Sequence, residues 1–112
     1  MTSKNLRSWM QGLIGYVRSD EPDLTNRQMA LLLVVYLTPG PHTVRGLARA
    51  LQVSKPVVTR ALNTLSTLGY LQREKDDQDR RNIFVAVTRT GERFLENLSG
   101  FLGHRTGVST KA

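Results

Sequence analysis

Between Ser54 and Leu68 the chain carries Lys55, Thr59, Arg60 and Asn63 and not one carboxylate. Val58, Ala61, Leu62, Leu65 and Leu68 recur there at helical spacing, so the stretch reads as a helix with one buried stripe. With Val58 at the centre of that stripe, Pro56, Arg60 and Asn63 point away from it and Thr59 flanks them. Such a face offers hydrogen-bond donors and positive charge, and nothing on it repels a polyanion. Contact with a nucleic-acid groove needs that chemistry, because donors there meet base edges and phosphates. The first turn adds backbone N–H groups and the positive end of the helix dipole. The competing explanation is a solvated helix face. Solvated faces usually mix signs, so an acid-free one favours DNA contact.

A second cluster combines Arg73, Lys75, Arg80 and Arg81 with Asp76, Asp77 and Asp79. Three neighbouring carboxylates raise the question of a metal. The spacing lacks the glycine and terminal glutamate of a calcium loop, and the adjacent arginines repel a cation. Two compatible readings stand. One is a solvated hairpin tip whose ion pairs contribute little each. The other is a wing, in which an arginine enters a minor groove or meets phosphate while an aspartate orients it.

Little else in the chain suggests chemistry. His42 and His104 are far apart, and neither has an acidic partner at metal or triad spacing. The absence of cysteine removes thiolate nucleophiles, disulfides and cysteine–zinc sites. No glycine-rich loop has phosphate-cradling spacing, since Gly12 and Gly15 sit inside a helix pattern. Tyr16, Tyr36 and Tyr70 read as packing residues rather than stacking platforms. The reading is therefore no enzyme, no metal and no cofactor.

The elements that must position these residues are legible from periodicity and punctuation. Leu6, Trp9, Met10, Leu13 and Val17 mark an amphipathic helix over 1–18, weakened by its two glycines. Thr25 and Gln28 have the spacing of a capping box and open a helix over 25–38, which ends at Thr38-Pro39-Gly40-Pro41. Being apolar all round, it should lie centrally, with other helices packed around it. Thr43 caps a short helix carrying Val44, Leu47, Ala48 and Leu51, and Gln52-Val53 makes a tight turn. Ser54 caps the next helix, Pro56 is tolerated in its first turn, and Gly69 closes it in the left-handed conformation. A helix-turn-helix thus spans 43–69. Residues 70–88, with Ile83, Val85 and Val87 alternating, read as a two-stranded hairpin. Thr90 opens a final helix over 90–102, carrying Phe94, Leu95, Leu98, Phe101 and Leu102 on one face, and 103–112 is a loose tail. The expected fold is mainly α with a small β-hairpin wing: a single winged helix-turn-helix domain over 1–112 with about five helices.

Bulk properties agree. The chain has 112 residues with 39% hydrophobic and 22% charged, a folding composition, and a length that suits one domain. Its formal charge is +7, concentrated in residues 43–93, where ten basic groups face five acidic ones. A compact basic excess points to a polyanion, and nucleic acid is the commoner one. The longest apolar run, Met29 to Leu37, is nine residues, short of the roughly 20 that cross a bilayer. Met1-Thr2-Ser3-Lys4 opens no secretory pattern, so a cytoplasmic, nucleoid-associated protein is expected, with no membrane partner.

From Leu24 to Leu95 the sequence resembles the DNA-binding lobe of the multiple-antibiotic-resistance regulator (MarR) family of bacterial transcription factors. The carrying pieces are Leu24-Thr25-x-x-Gln28, Thr43-Val44-x-x-Leu47-Ala48-x-x-Leu51 and Val53-Ser54-Lys55-Pro56-x-Val58-Thr59-Arg60-x-Leu62. Leu65-x-x-Leu68-Gly69-Tyr70-Leu71-x-Arg73, Asp79-Arg80-Arg81 and Val87-Thr88-x-Thr90-Gly91 complete them. The resemblance implies a homodimeric regulator on a pseudo-palindromic operator. It implies major-groove and phosphate contacts from Ser54, Lys55, Pro56, Thr59 and Arg60, and a minor-groove role for Arg81 with Asp79 as partner. Many members are released by small anionic or phenolic effectors, or by cysteine oxidation, a route this cysteine-free chain lacks.

Relative to the family, both terminal helical segments are short. Two roles stay open for their apolar residues, Leu6, Trp9, Leu13, Phe94, Leu98, Phe101 and Leu102: a reduced two-fold interface, or cover for the central helix. The full set expected on double-stranded DNA is Thr43, Ser54, Lys55, Pro56, Thr59, Arg60, Asn63, Arg73, Lys75, Arg80 and Arg81, with Asp79 orienting the wing. The leading expectation is a sequence-specific transcriptional regulator. The alternatives are a basic architectural DNA-binding protein with little sequence choice and a winged-helix protein-interaction module.

Overall fold

The computed structural model describes residues 2–103. In chain order it contains α1 (Thr2–Arg18), α2 (Asn26–Leu37), β1 (His42–Thr43), α3 (Val44–Leu51), α4 (Lys55–Thr67), β2 (Leu71–Lys75), β3 (Ile83–Val87) and α5 (Arg89–Gly103). The tail expected after Gly103, and His104 with it, lies outside the described residues. The chain divides into two compact units: Leu24–Glu92, and the segments flanking it on either side.

In the larger unit each helix end has an identifiable cause. The capping box of α2 is complete: Thr25 Oγ1 accepts from the Gln28 N–H at 3.1 Å, and Gln28 Oε1 accepts from the Thr25 N–H at 2.9 Å. Leu31, Leu32 and Val35 of α2 are buried, whereas Leu37 at its end is exposed, so this helix is not buried all round. Thr43 caps α3 by accepting from the Gly46 N–H at 3.0 Å. Two closures of the same kind then shape the helix-turn-helix. At the end of α3, Val53 N–H reaches Ala48 O at 3.0 Å and Gln52 N–H reaches Arg49 O at 3.2 Å. At the end of α4, Tyr70 N–H reaches Leu65 O at 2.9 Å and Gly69 N–H reaches Ser66 O at 3.0 Å. Both are the paired bonds of a Schellman motif. Gly69 takes the left-handed position with φ +82°; in the turn a glutamine takes it, Gln52 at φ 55°.

Ser54 occupies the N-cap position of α4, but its side chain makes no capping bond, contrary to expectation. Pro56 has removed one of the two amides a capping hydroxyl reaches, and the other, that of Val57, is bonded to the Ser54 carbonyl at 3.1 Å. The final helix also begins earlier than expected. Thr88 rather than Thr90 caps α5, with Gly91 N–H donating to its Oγ1 at 3.0 Å and Glu92 N–H to its carbonyl at 2.9 Å. The same hydroxyl donates to the carbonyls of Gly69 and Tyr70, tying the start of α5 to the end of α4.

The sheet has three strands rather than the expected two, in the order β1-β3-β2, all antiparallel. His42 pairs with Val85 and Thr43 with Phe84, so β3 is the central strand. Leu71 pairs with Val87, Arg73 with Val85 and Lys75 with Ile83. Leu47, Val58, Leu62, Leu65, Leu71 and Val85 are buried in the core of this unit.

In the smaller unit the expected helix over 1–18 forms, but its apolar stripe faces outward. Trp9 is 62% and Val17 80% exposed, and Leu6, Met10, Leu13 and Ile14 are exposed beside them. The side turned inward carries Gly12, Gly15 and Tyr16. A Cβ at Gly12 would run into Leu102, and one at Gly15 would stand 3.1 Å from Phe101, so the glycines set how closely α1 and α5 approach. Tyr16 meets Phe94 edge-on, ring centroids 6.1 Å apart.

Candidate nucleic-acid interface

The exposed side of α4 follows from what its other side buries. Val58, Ala61, Leu62 and Leu65 are buried, which turns Lys55, Pro56, Thr59, Arg60 and Asn63 to solvent together. Ser54 is exposed at the head of this row, its hydroxyl free of any capping role. Neither Lys55 nor Arg60 forms an ion pair; among the described residues the one pair is Arg81–Asp79. Both cations therefore keep all their donors for a ligand.

The hairpin places its cations through the two-residue period of a strand. Leu71 is buried, and Arg73 and Lys75 follow it on the same face of β2, each further from the core. Arg73 thereby reaches α4: its Nη2 donates to Asn63 Oδ1 at 2.7 Å. The two residues, expected as separate DNA contacts, are joined to each other. On the opposite face Gln72 Nε2 donates to Glu74 Oε2 at 2.9 Å, so that carboxylate is engaged away from the Arg73 side.

The tip is ordered by Asp76 and Asp79 together with Gln78 and Asn82, two residues the sequence reading did not single out. Asp76 N–H donates to Asn82 O at 3.1 Å, closing the loop, while Asp76 Oδ1 accepts from Gln78 N–H at 2.9 Å. Asn82 N–H donates to Asp79 O at 2.9 Å. Asp79 Oδ1 in turn accepts from the Arg81 N–H at 3.1 Å and from its Nε at 3.3 Å. One carboxylate thus holds both the backbone and the side chain of Arg81, whose side chain is 91% exposed. Arg80 beside it is exposed and unpaired. Asp76 and Asp79 are local braces, and no group of three or more acidic or histidine side chains among the described residues could hold a metal ion.

Thr43 is half-buried, with its hydroxyl engaged in capping α3. Arg45 and Arg49, four residues apart on α3, are exposed cations absent from the expected set. Their i, i+4 spacing, opposite buried Leu47 and Ala48, was the signal available for finding them. Of the terminal apolar residues, Phe94 is buried against Tyr16 and offers no surface, while Leu98 and Phe101 are half-buried. Leu6, Trp9, Leu13 and Leu102 are exposed.

A helix-turn-helix leading straight into an antiparallel ribbon defines the winged-helix class. Residues 23–82 match the sequence profile described as the MarR family, and the chain belongs to that family. It is 41% identical over 76 residues to the transcriptional regulator AdcR of Streptococcus pneumoniae, covering 68% of this chain and 50% of AdcR. A crystal structure of a transcriptional regulator from Thermotoga maritima superposes with a TM-score of 0.76 at 27% identity, over 93% of this chain and 70% of that one. The MepR–DNA complex of S. aureus shares the fold, with a TM-score of 0.72 at 24% identity over 94% and 74% of the two chains. The chain spans about half the length of the curated relatives it matches.

Proposed function

We propose that this protein is a sequence-specific double-stranded-DNA-binding transcriptional regulator, with α4 in the major groove and the wing on the flanking backbone or minor groove. The observation that carries this reading is the exposed, acid-free face of α4, on which Lys55 and Arg60 have no internal partner. Ser54, Pro56, Thr59 and Asn63 supply the polar and close-contact surface of the helix. Arg73, Lys75 and Arg80 add cations along the ribbon, and Thr43 lies at the start of α3. Arg81, braced by Asp79, is the residue that enters the minor groove, where narrow grooves attract arginine. Family membership and the DNA-bound state of MepR support the same assignment.

The regulator acts as a homodimer. Support comes from the outward stripe of Leu6, Trp9, Leu13 and their neighbours on α1, a surface a monomer gains nothing by exposing. Two recognition helices related by a two-fold axis read an inverted repeat. Its place of action is the cytoplasm, on the nucleoid.

Selection of bound duplexes from a random DNA pool at about physiological salt tests the proposal, because non-specific binding is already weak there. An enriched inverted repeat is the expected result. A single half-site removes the dimer. Retention without a motif replaces the regulator by an architectural protein, and no retention leaves a protein-interaction module.

A further inference from the structure

Asn63 and Arg73 join the recognition helix to the wing, and the chemistry of that bond constrains what Asn63 can read. A guanidinium has donors and no acceptor, so the atom it meets at 2.7 Å is the Asn63 carbonyl oxygen. The amide nitrogen is then turned away from Arg73. Asn63 lies one turn beyond Thr59 and Arg60, on the exposed side of the helix and opposite the buried stripe. An asparagine free at both atoms pairs bidentately with adenine, accepting from N6 and donating to N7. The bond to Arg73 takes one of the two lone pairs of that oxygen and sets a positive guanidinium beside it, so a donor approaching the second lone pair meets charge of its own sign, while the two amide hydrogens stay free. Those hydrogens suit a base edge made of acceptors. Guanine presents two, O6 and N7, side by side in the major groove; the amino groups of cytosine and adenine are donors and would have to approach the oxygen beside the guanidinium's positive charge, which disfavours them.

From this we infer that Asn63 is a specificity-determining residue that reads a guanine edge, with Arg73 as its positioning residue rather than an independent phosphate contact. The inference rests on the DNA-binding reading above. It also accounts for an arginine on the helix-facing side of β2, two residues beyond buried Leu71, where the strand period carries it within reach of α4.

The test uses the duplex that the wild-type protein selects from a random pool. At each guanine of the motif the G·C pair is changed to A·T, and binding is titrated by fluorescence anisotropy with wild type, Asn63→Asp and Arg73→Lys. Asn63→Asp retains the bond to Arg73, now charge-assisted, and exchanges the free donors for an acceptor. Its general loss of affinity for a polyanion cancels in the ratio between two duplexes. The expected result is one guanine per half-site whose replacement weakens wild type about tenfold but leaves Asn63→Asp within twofold or reverses its preference. Arg73→Lys, which keeps the charge but not the planar fork, flattens the same ratio while overall affinity changes little. Thermal melts of both variants within a few degrees of wild type establish that the changes are in reading and not in folding. Equal discrimination by wild type and Asn63→Asp at every position overturns the role of Asn63, and an Arg73→Lys profile identical to wild type overturns the role of Arg73. A wild type that selects no motif contradicts DNA reading itself, a failure distinct from either of these.

Discussion

Arg60 and Arg81 differ in how they are held, and the difference decides what each substitution does. Arg60 projects from α4 with no ion-pair partner, on the face proposed to meet base edges. Arg60→Ala should weaken binding to the selected duplex by about 1–3 kcal/mol and relax base preference at one position. An equal loss on every sequence, measured by anisotropy on selected and scrambled duplexes, would instead make Arg60 a phosphate contact. Arg81 is pre-oriented by Asp79, which also bonds its backbone N–H. Because the pair is exposed, removing it should leave the thermal midpoint within a few degrees. Affinity should nevertheless fall with Arg81→Ala, and less with Asp79→Ala, which frees the arginine without deleting it. Unchanged affinity for Arg81→Ala would remove the wing from the interface.

At the scale of elements, α5 starts where it does because Thr88 caps it and Gly91 lets it close on the wing. A Cβ at Gly91 would strike the carbonyl oxygen of Tyr70 and stand 2.9 Å from Val87 Cγ2. Tyr70 O is fixed by the Thr88 N–H and hydroxyl, so it has no room to yield. Gly91→Ala should therefore cost about 1–3 kcal/mol in chemical denaturation, as overpacking does; a neutral result would mean the helix start adjusts freely. Most of this architecture was legible in the sequence. The capping box of Thr25 and Gln28, the Pro-Gly-Pro stop and Gly69 are local signals, and each forms as its chemistry requires. What stayed hidden depends on partners distant in sequence. The two residues of β1 carry no pattern of their own and become a strand only by pairing with Val85 and Phe84. The Asn63–Arg73 bond joins two residues that sequence reading had placed on separate contacts. In α1 the periodicity identified the helix correctly but not which side packs, because close approach at Gly12 and Gly15 put the small residues inward.

For the whole molecule, charge and the α1 stripe act at different ranges. The formal charge of +7 steers the protein toward a polyanion and makes affinity fall with salt, whatever the sequence of the DNA. Two-fold pairing doubles the sequence read, and the stripe is where it is proposed to occur. Leu13→Glu combined with Val17→Glu places two charges on positions exposed within the chain, so folding should survive while the solution mass by light scattering drops from dimer to monomer. Trp9, the sole tryptophan, lies on the same stripe, and its emission should shift to the red in the variant. An unchanged mass would exclude α1 as the interface. The central claim, that α4 and the wing read sequence, is tested most directly by titrating the wild-type protein at about physiological salt against its selected duplex and a scrambled duplex of the same composition. The predicted result is a ratio of dissociation constants of about 1,000 or more, as specific binding requires; equal affinities for the two duplexes would contradict it.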